Sequence, residues 1–393
     1  MQEHLKTYGK VVHSKQLKVL LEYSLQQNDK LTRRGKRGIP ICIWGTHGIG
    51  KTESIISFAK ENNWTYVYCA PAQFEEMGDL HGIPETYDPT PETPNSGDEY
   101  TVYRPPQWLK NAISNLEEDK PGLLILDDFN RADNRIIQGC MQLLQMHALF
   151  SWSLPPRWQI VLTANPEGGP YAVTEMDDAM LTRMLHVTLE FDVEVWATWA
   201  ISHGIDTRGI DFLLTYPEVI TGVRTTARSL TQFFYQIEGL DDLGNPENLT
   251  LMETLGLGTL EEETVAKFLH FCKFIQHTLI QPLEILETKN FTQDVSIRLS
   301  RIVTGDGQGK RTDRLQTICT RLILFVMSDA YEYKKGHEDN LIAFLISEEM
   351  ESTIRFNTYT RILNIKRGEG RKLYRAVTKA KNPKLGQLIN ESL

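Results

Sequence analysis

Residues Gly45 to Thr52 read Gly-Thr-His-Gly-Ile-Gly-Lys-Thr. The pattern set by Gly45, Gly50, Lys51 and Thr52 suits one chemistry, the holding of a polyphosphate. Glycines let the backbone curl until several N–H groups converge on phosphate oxygens, and the N-terminus of a following helix adds partial positive charge. Thr46, His47, Gly48 and Ile49 fill the loop, and Glu53 carries it into the first helical turn. Lys51 is placed to reach the β- and γ-phosphates, and the Thr52 hydroxyl suits Mg²⁺. The carboxylate pair Asp127-Asp128 closes the apolar run Leu123–Leu126. There Asp127 can hold Mg²⁺, while Asp128 can orient and deprotonate a water. Asn165 follows the run Gln159–Ala164 and offers a neutral amide to the γ-phosphate or the water. Arg183, in Asp178-Ala179-Met180-Leu181-Thr182-Arg183, offers a guanidinium to the γ-phosphate of a neighbouring subunit.

These residues need a rigid frame. Ile39–Trp44, Trp64–Cys69, Leu123–Leu126, Gln159–Ala164 and Leu185–Leu189 read as buried strands. Glu53–Lys60, Gln107–Leu116 and a segment from Asn134, read as its cap, to His147 have helical spacing. Strands alternating with helices over 38–190 predict a parallel, three-layer α/β domain, whose ligand chemistry collects at the C-terminal ends of the strands. Residues 76–104 break the rhythm with Gly78, Gly82, Pro84, Pro89, Pro91, Pro94 and Gly97, and predict an inserted loop or hairpin. Residues 1–37 read as a helical segment ending in the cationic run Lys30–Arg37, taken as a solvated connector. From Val193 strand signals fade. Val193–Ser202, Asp211–Thr215, Ala227–Glu238 and Glu261–Leu279 predict a helical lid over 193–279. A further helical domain is predicted over 280–393, with helices in Leu315–Asp329, Asn340–Glu348 and Tyr374–Lys379 and a loop at Gly305–Lys310.

Composition narrows the field. The 393 residues are 41% hydrophobic and 24% charged, enough apolar mass for a large core. A net charge of −9 argues against broad duplex binding. The five cysteines, Cys42, Cys69, Cys140, Cys272 and Cys319, form no Cys-x-x-Cys pair and read as reduced core residues of a cytoplasmic protein. No apolar run approaches the ~18 residues of a membrane span, and the N-terminus lacks a signal-peptide core. A guanine-selecting Asn-Lys-x-Asp is absent, which favours ATP.

Together the motifs resemble the AAA+ ATPases, and more narrowly their MoxR-like group, over Ile39 to Phe234. Walker A is similar to GTHGIGKT, Walker B to LLILDDFNRA, sensor 1 to Asn165 in LTANPEG, and the arginine finger to Arg183 in AMLTRML. Thr226-Ala227-Arg228-Ser229-Leu230 resembles the sensor 2 element, which assigns Arg228 to a second phosphate-reading role. Asp79-Leu80-His81-Gly82 and Arg104–Leu109 also resemble that group, which carries a hairpin where residues 76–104 lie. The resemblance implies an ATP- and Mg²⁺-dependent ring, a hexamer, that remodels a protein client, often with a von Willebrand factor A-domain partner. Two departures stand out. Asp128 replaces the usual Glu, one methylene longer, which implies slow hydrolysis. Ala227 replaces the sensor 2 proline, with Arg224 a rival to Arg228. Two alternatives stay open: a DNA-handling AAA+ machine, less favoured on charge, and a nucleotide-gated scaffold with little turnover.

Overall fold

The computed structural model describes residues 5–88, 99–114, 120–168, 172–242, 245–304 and 311–391. Pro89, Pro91, Pro94 and Gly97 of the insertion, Leu116 and the loop 305–310 lie outside them. The chain divides into two compact units, Met1–Asp192 and Val193–Leu393.

The first unit contains ten strands among its described residues: β1 Lys10–Val12, β2 Ile41–Trp44, β3 Thr65–Cys69, β4 Ile83–Tyr87, β5 Tyr100–Arg104, β6 Gly122–Leu126, β7 Ala148–Leu149, β8 Trp152–Ser153, β9 Trp158–Ala164 and β10 Leu185–Leu189. Six form one parallel sheet in the order β1-β10-β2-β9-β6-β3. The helices are α1 Ser14–Thr32, α2 Lys51–Glu61, α3 Met77–His81, α4 Gln107–Ser114, α5 Asn134–Met146 and α6 Asp178–Leu181.

Strand side chains alternate between faces, so a run apolar at every position must be covered on both. Ile41, Ile43, Leu123, Ile125 and Val161 pack with Leu17, Leu21 and Leu25 of α1 and Ile55 and Phe58 of α2. Their neighbours Cys42, Trp44, Leu124, Leu126, Ile160 and Leu162 face Ile136, Ile137, Cys140 and Leu143 of α5. Each fully buried Leu, Ile or Phe contributes roughly 1.5–3 kcal/mol, so the two slabs fix the sheet between helices. The register matters most at one edge. Trp44 pairs with Ala164, Leu126 with Leu162, and Cys69 with Leu126. The chain therefore leaves β2, β9, β6 and β3 along one line.

Two expectations need correction and a third needs an addition. Residues 1–37 are not only helical: β1 adds to the sheet edge beside β10, Val11 opposite Thr188. The cap of α5 is Asp133, whose carboxylate accepts from Arg135 N, not Asn134. Residues 76–104 contain α3 before the antiparallel β4–β5 pair, and β7 and β8 form a further short hairpin.

The second unit is helical among its described residues. Its helices are α7 Val193–Ser202, α8 Thr207–Thr215, α9 Ala227–Gln236, α10 Pro246–Thr259, α11 Glu262–Phe274, α12 Pro282–Leu286, α13 Ile297–Thr304, α14 Thr312–Met327, α15 His337–Leu345, α16 Ser352–Leu363, α17 Gly370–Ala380 and α18 Pro383–Asn390. Phe212 and Phe233 meet Phe268 edge to face, and Phe234 packs tilted against it, in the buried core of this unit. The segments 193–279 and 280–393, read separately from sequence, share this unit. Arg321 of α14 pairs with Asp211 of α8 at 2.6 Å, and the Thr215 and Thr317 hydroxyls lie 3.3 Å apart. All five cysteines are buried. No helix among the described residues is long and apolar enough to cross a membrane.

Candidate phosphate-binding site

Past Trp44 the backbone turns out of β2 at Gly45, whose φ of 152° places an added Cβ 2.7 Å from Leu189 O. Gly50, at φ 89°, is the N-cap of α2. These two positions need glycine, because a side chain would meet the backbone at one and be strained at the other. Lys51 opens α2 and is 6% exposed. Its Nζ donates to Gly45 O at 2.7 Å, Thr46 O at 3.0 Å and Asn165 Oδ1 at 3.1 Å. A buried ammonium must be paired or hydrogen-bonded, and here two loop carbonyls and the Asn165 amide are partners.

The acidic pair leaves β6 beside this loop. Asp127 Oδ1 accepts from Thr52 Oγ1 at 2.5 Å and from Thr163 Oγ1 at 2.6 Å, and Oδ2 accepts from Tyr68 Oη at 2.9 Å. Burial, then the Asp127 contact, pushes the Tyr68 hydroxyl up to about 12, so it stays a proton donor. Asp128 has φ 48° and ψ 41°, a left-handed conformation that costs a non-glycine residue energy and marks many functional turns. The turn aims its carboxylate differently from that of Asp127. Asp128 Oδ1 accepts from Asn165 Nδ2 at 3.0 Å, and Arg131 Nε lies 3.7 Å from Oδ2. The Asp128 N–H donates to Thr163 Oγ1 at 2.9 Å.

Asn165 thus spans the site, its carbonyl on Lys51 and its amide nitrogen on Asp128. A second amide holds its backbone: Asn165 N donates to Asn130 Oδ1 at 2.9 Å, and Asn130 Nδ2 donates to Asn165 O at 2.8 Å. Both asparagines are fully buried. The structure therefore brings Lys51, Thr52, Asp127, Asp128 and Asn165 together. Tyr68, Asn130 and Thr163 join them, with no role foreseen from sequence. A hydroxyl and a carboxylate oxygen 2.5 Å apart are the hard donors Mg²⁺ takes beside substrate phosphates, so the residues present fit that ion.

Three candidates remain. Arg183 hydrogen-bonds back to Ala179 O and reaches Gln145 Oε1 at 3.4 Å. Arg228 is exposed on α9, and Arg224 donates to Leu257 O at 3.1 Å. Both belong to the second unit. Thr226 caps α9 through a reciprocal pair with Ser229, so the Thr-Ala-Arg-Ser element starts that helix. The inserted hairpin is rooted by Gly82, where a Cβ would meet Arg104 O. Trp152 Nε1, donating to His81 O at 3.0 Å, holds the same root. Ile83, Tyr87 and Tyr100 on its strands are exposed.

The described residues form an α/β core with a glycine-rich loop at the end of β2, followed in the chain by a helical unit. No protein-family model matches the chain, and no curated protein does. Among solved structures, a point mutant of Thermotoga maritima RuvB is similar over 66% of this chain and 70% of its own, at 14% identity and a TM-score of 0.38. The Holliday junction branch migration motor RuvB of Thermotoga maritima is similar over 70% and 76%, at 12% identity and a TM-score of 0.35. Nothing about this chain's chemistry follows from likeness at that level.

Proposed function

We propose that the chain is an AAA+ ATPase of the MoxR-like kind, which binds ATP with Mg²⁺, hydrolyses it between subunits of a ring and remodels a protein client. The observation that supports this best is the buried Lys51 ammonium on its glycine loop, bridged through Asn165 to Asp128, with Thr52 and Asp127 paired beside it. Lys51 would exchange its loop carbonyls for phosphate oxygens, while the amides at the start of α2 bind the same anion. Thr52 and Asp127 would hold Mg²⁺, which neutralises charge between the β- and γ-phosphates. Asn165 would position the water and Asp128 Oδ1 would take its proton. The shorter Asp128 side chain, drawn toward Asn165, favours slow turnover.

Arg183 serves a neighbouring subunit in this reading, which accords with its hydrogen bonds to Ala179 O and Gln145 Oε1 rather than to Lys51, Asp127 or Asp128 among the described residues. The exposed Ile83, Tyr87 and Tyr100 of the hairpin suit contact with a protein client. Arg228, or its rival Arg224, would report the phosphate from the lid.

A mixing experiment tests the shared site. Arg183→Ala should lower kcat by about 10³-fold, and Lys51→Ala should be inactive. Mixed, the two variants should regain turnover, because intact arginines from one serve intact loops of the other. Normal turnover by Arg183→Ala alone, or a co-assembled mixture that stays inactive, contradicts the reading.

A further inference from the structure

The chain is acidic overall, yet one stretch runs strongly the other way. Between Lys366 and Lys384 stand eight cations, Lys366, Arg367, Arg371, Lys372, Arg375, Lys379, Lys381 and Lys384, against a single acid, Glu369. The rest of the molecule is therefore more acidic than its net −9 indicates. All eight cations are exposed. Lys372 pairs with Glu369 at 2.5 Å; the other seven have no ion pair among the described residues.

Helix geometry organises them. Gly370, Leu373 and Val377 of α17 are buried, and a Cβ on Gly370 would meet Val326 O at 2.5 Å. That apolar stripe fixes the helix's rotation. Arg371, Arg375 and Lys379 recur every four residues and so share another face. At ~1.5 Å per residue this row spans about 12 Å. Lys372 flanks it, Lys366 and Arg367 precede it, and Lys381 and Lys384 extend the charge toward α18.

The chemistry of the surface selects its partner. A protein interface of useful affinity needs an apolar or aromatic anchor, and an amphipathic membrane helix must insert apolar side chains. This patch supplies little of either: Leu373, Val377 and Leu385 are buried, Tyr374, Leu388 and Ile389 are half-buried, and no large hydrophobic residue described after Leu363 is exposed. What remains is a row of like charges matched to an evenly charged polyanion. We propose that α17 and its flanks bind the phosphate backbone of a nucleic acid duplex, independently of sequence. The proposed site shares no residue with the glycine loop of 45–52 and does not depend on the ATPase reading.

The test is fluorescence anisotropy of the full chain with a labelled DNA duplex of about 20 base pairs, titrated over a range of salt. The wild type should bind duplexes of unrelated sequence alike. The variant Arg371→Gln/Arg375→Gln/Lys379→Gln should bind at least ~10-fold more weakly and reduce the slope of log K against log salt by roughly 1 per cation removed. A second variant, Lys30→Gln/Arg34→Gln/Lys36→Gln, should keep wild-type binding, which localises the effect. Circular dichroism should show both variants folded. The proposal is overturned if the wild type ignores duplex at low salt, or if the α17 variant binds as tightly as wild type. It is equally overturned if the patch governs only self-association or binding to phosphatidylserine vesicles.

Discussion

Both units bury cations, and they treat them differently. In the first, Lys51 lies at the sheet edge, among groups brought there by the ends of β2, β6 and β9. Lys51 binds two loop carbonyls and the Asn165 amide, and through Asn165 and the adjacent Thr52 the network reaches the Asp128 and Asp127 carboxylates, a set complementary to a metal-bound phosphate. In the second, the buried arginines are closed off by the fold. Arg208 binds Asp206 and the carbonyls of Ile237 and Leu240. Arg355 binds the carbonyls of Leu345 and Met350. Arg321 binds Asp211 and Gln281. Burial of a charge therefore does not mark a site; convergence of unlike groups on a glycine loop does.

The contrast breaks most readily at Arg321. Arg321→Ala leaves Asp211, 2% exposed, without its partner, and should cost roughly 3–5 kcal/mol of stability. The denaturation midpoint reads this, and ATP turnover by the folded protein should be unaffected. The cost has a sign in pH. Burial raises the Asp211 carboxyl to about 7 even with Arg321 beside it. The folded state then holds a proton that the unfolded state has released, so this group's contribution falls as pH rises from about 4 to about 7. The variant should accordingly be hurt more at alkaline than at acidic pH. An Arg321→Ala protein as stable as wild type would remove the structural half of the comparison.

Tyr68 sharpens the other half with a smaller effect. Asp127 keeps Thr52 and Thr163 when Tyr68→Phe removes the third donor. One net hydrogen bond is worth about 0.5–1.5 kcal/mol, so kcat should fall by about 2- to 10-fold with little change in melting temperature. Unchanged kcat in Tyr68→Phe would show that the hydroxyl does not help to place Asp127.

Much of this was legible in the sequence because local patterns encode it. The apolar runs at 41–44, 123–126 and 159–164 announce strands covered on both faces, and Gly45 to Thr52 announces the loop. What escaped depends on strand order and on reciprocal contacts. Tyr68 reaches Asp127 only because β3 pairs with β6, Tyr68 opposite Ile125, and nothing in a single sequence states that pairing. Asn130 matters through its mutual hydrogen bonds with Asn165, 35 positions on. The three residues of β1 are a strand because β10 is available to pair with them, not because of their own pattern. The link between the two segments of the second unit includes the ion pair of Asp211 with Arg321, whose long-range pairing leaves no periodic trace.

The most direct test is calorimetric titration of ATP with Mg²⁺ into the wild type, Lys51→Ala and Arg321→Ala, each checked for folding. The wild type and the folded fraction of Arg321→Ala should bind alike, while Lys51→Ala should bind at least about 30-fold more weakly, the loss expected when one member of a buried charge pair is truncated. Lys51→Ala binding ATP as tightly as the wild type would contradict the account.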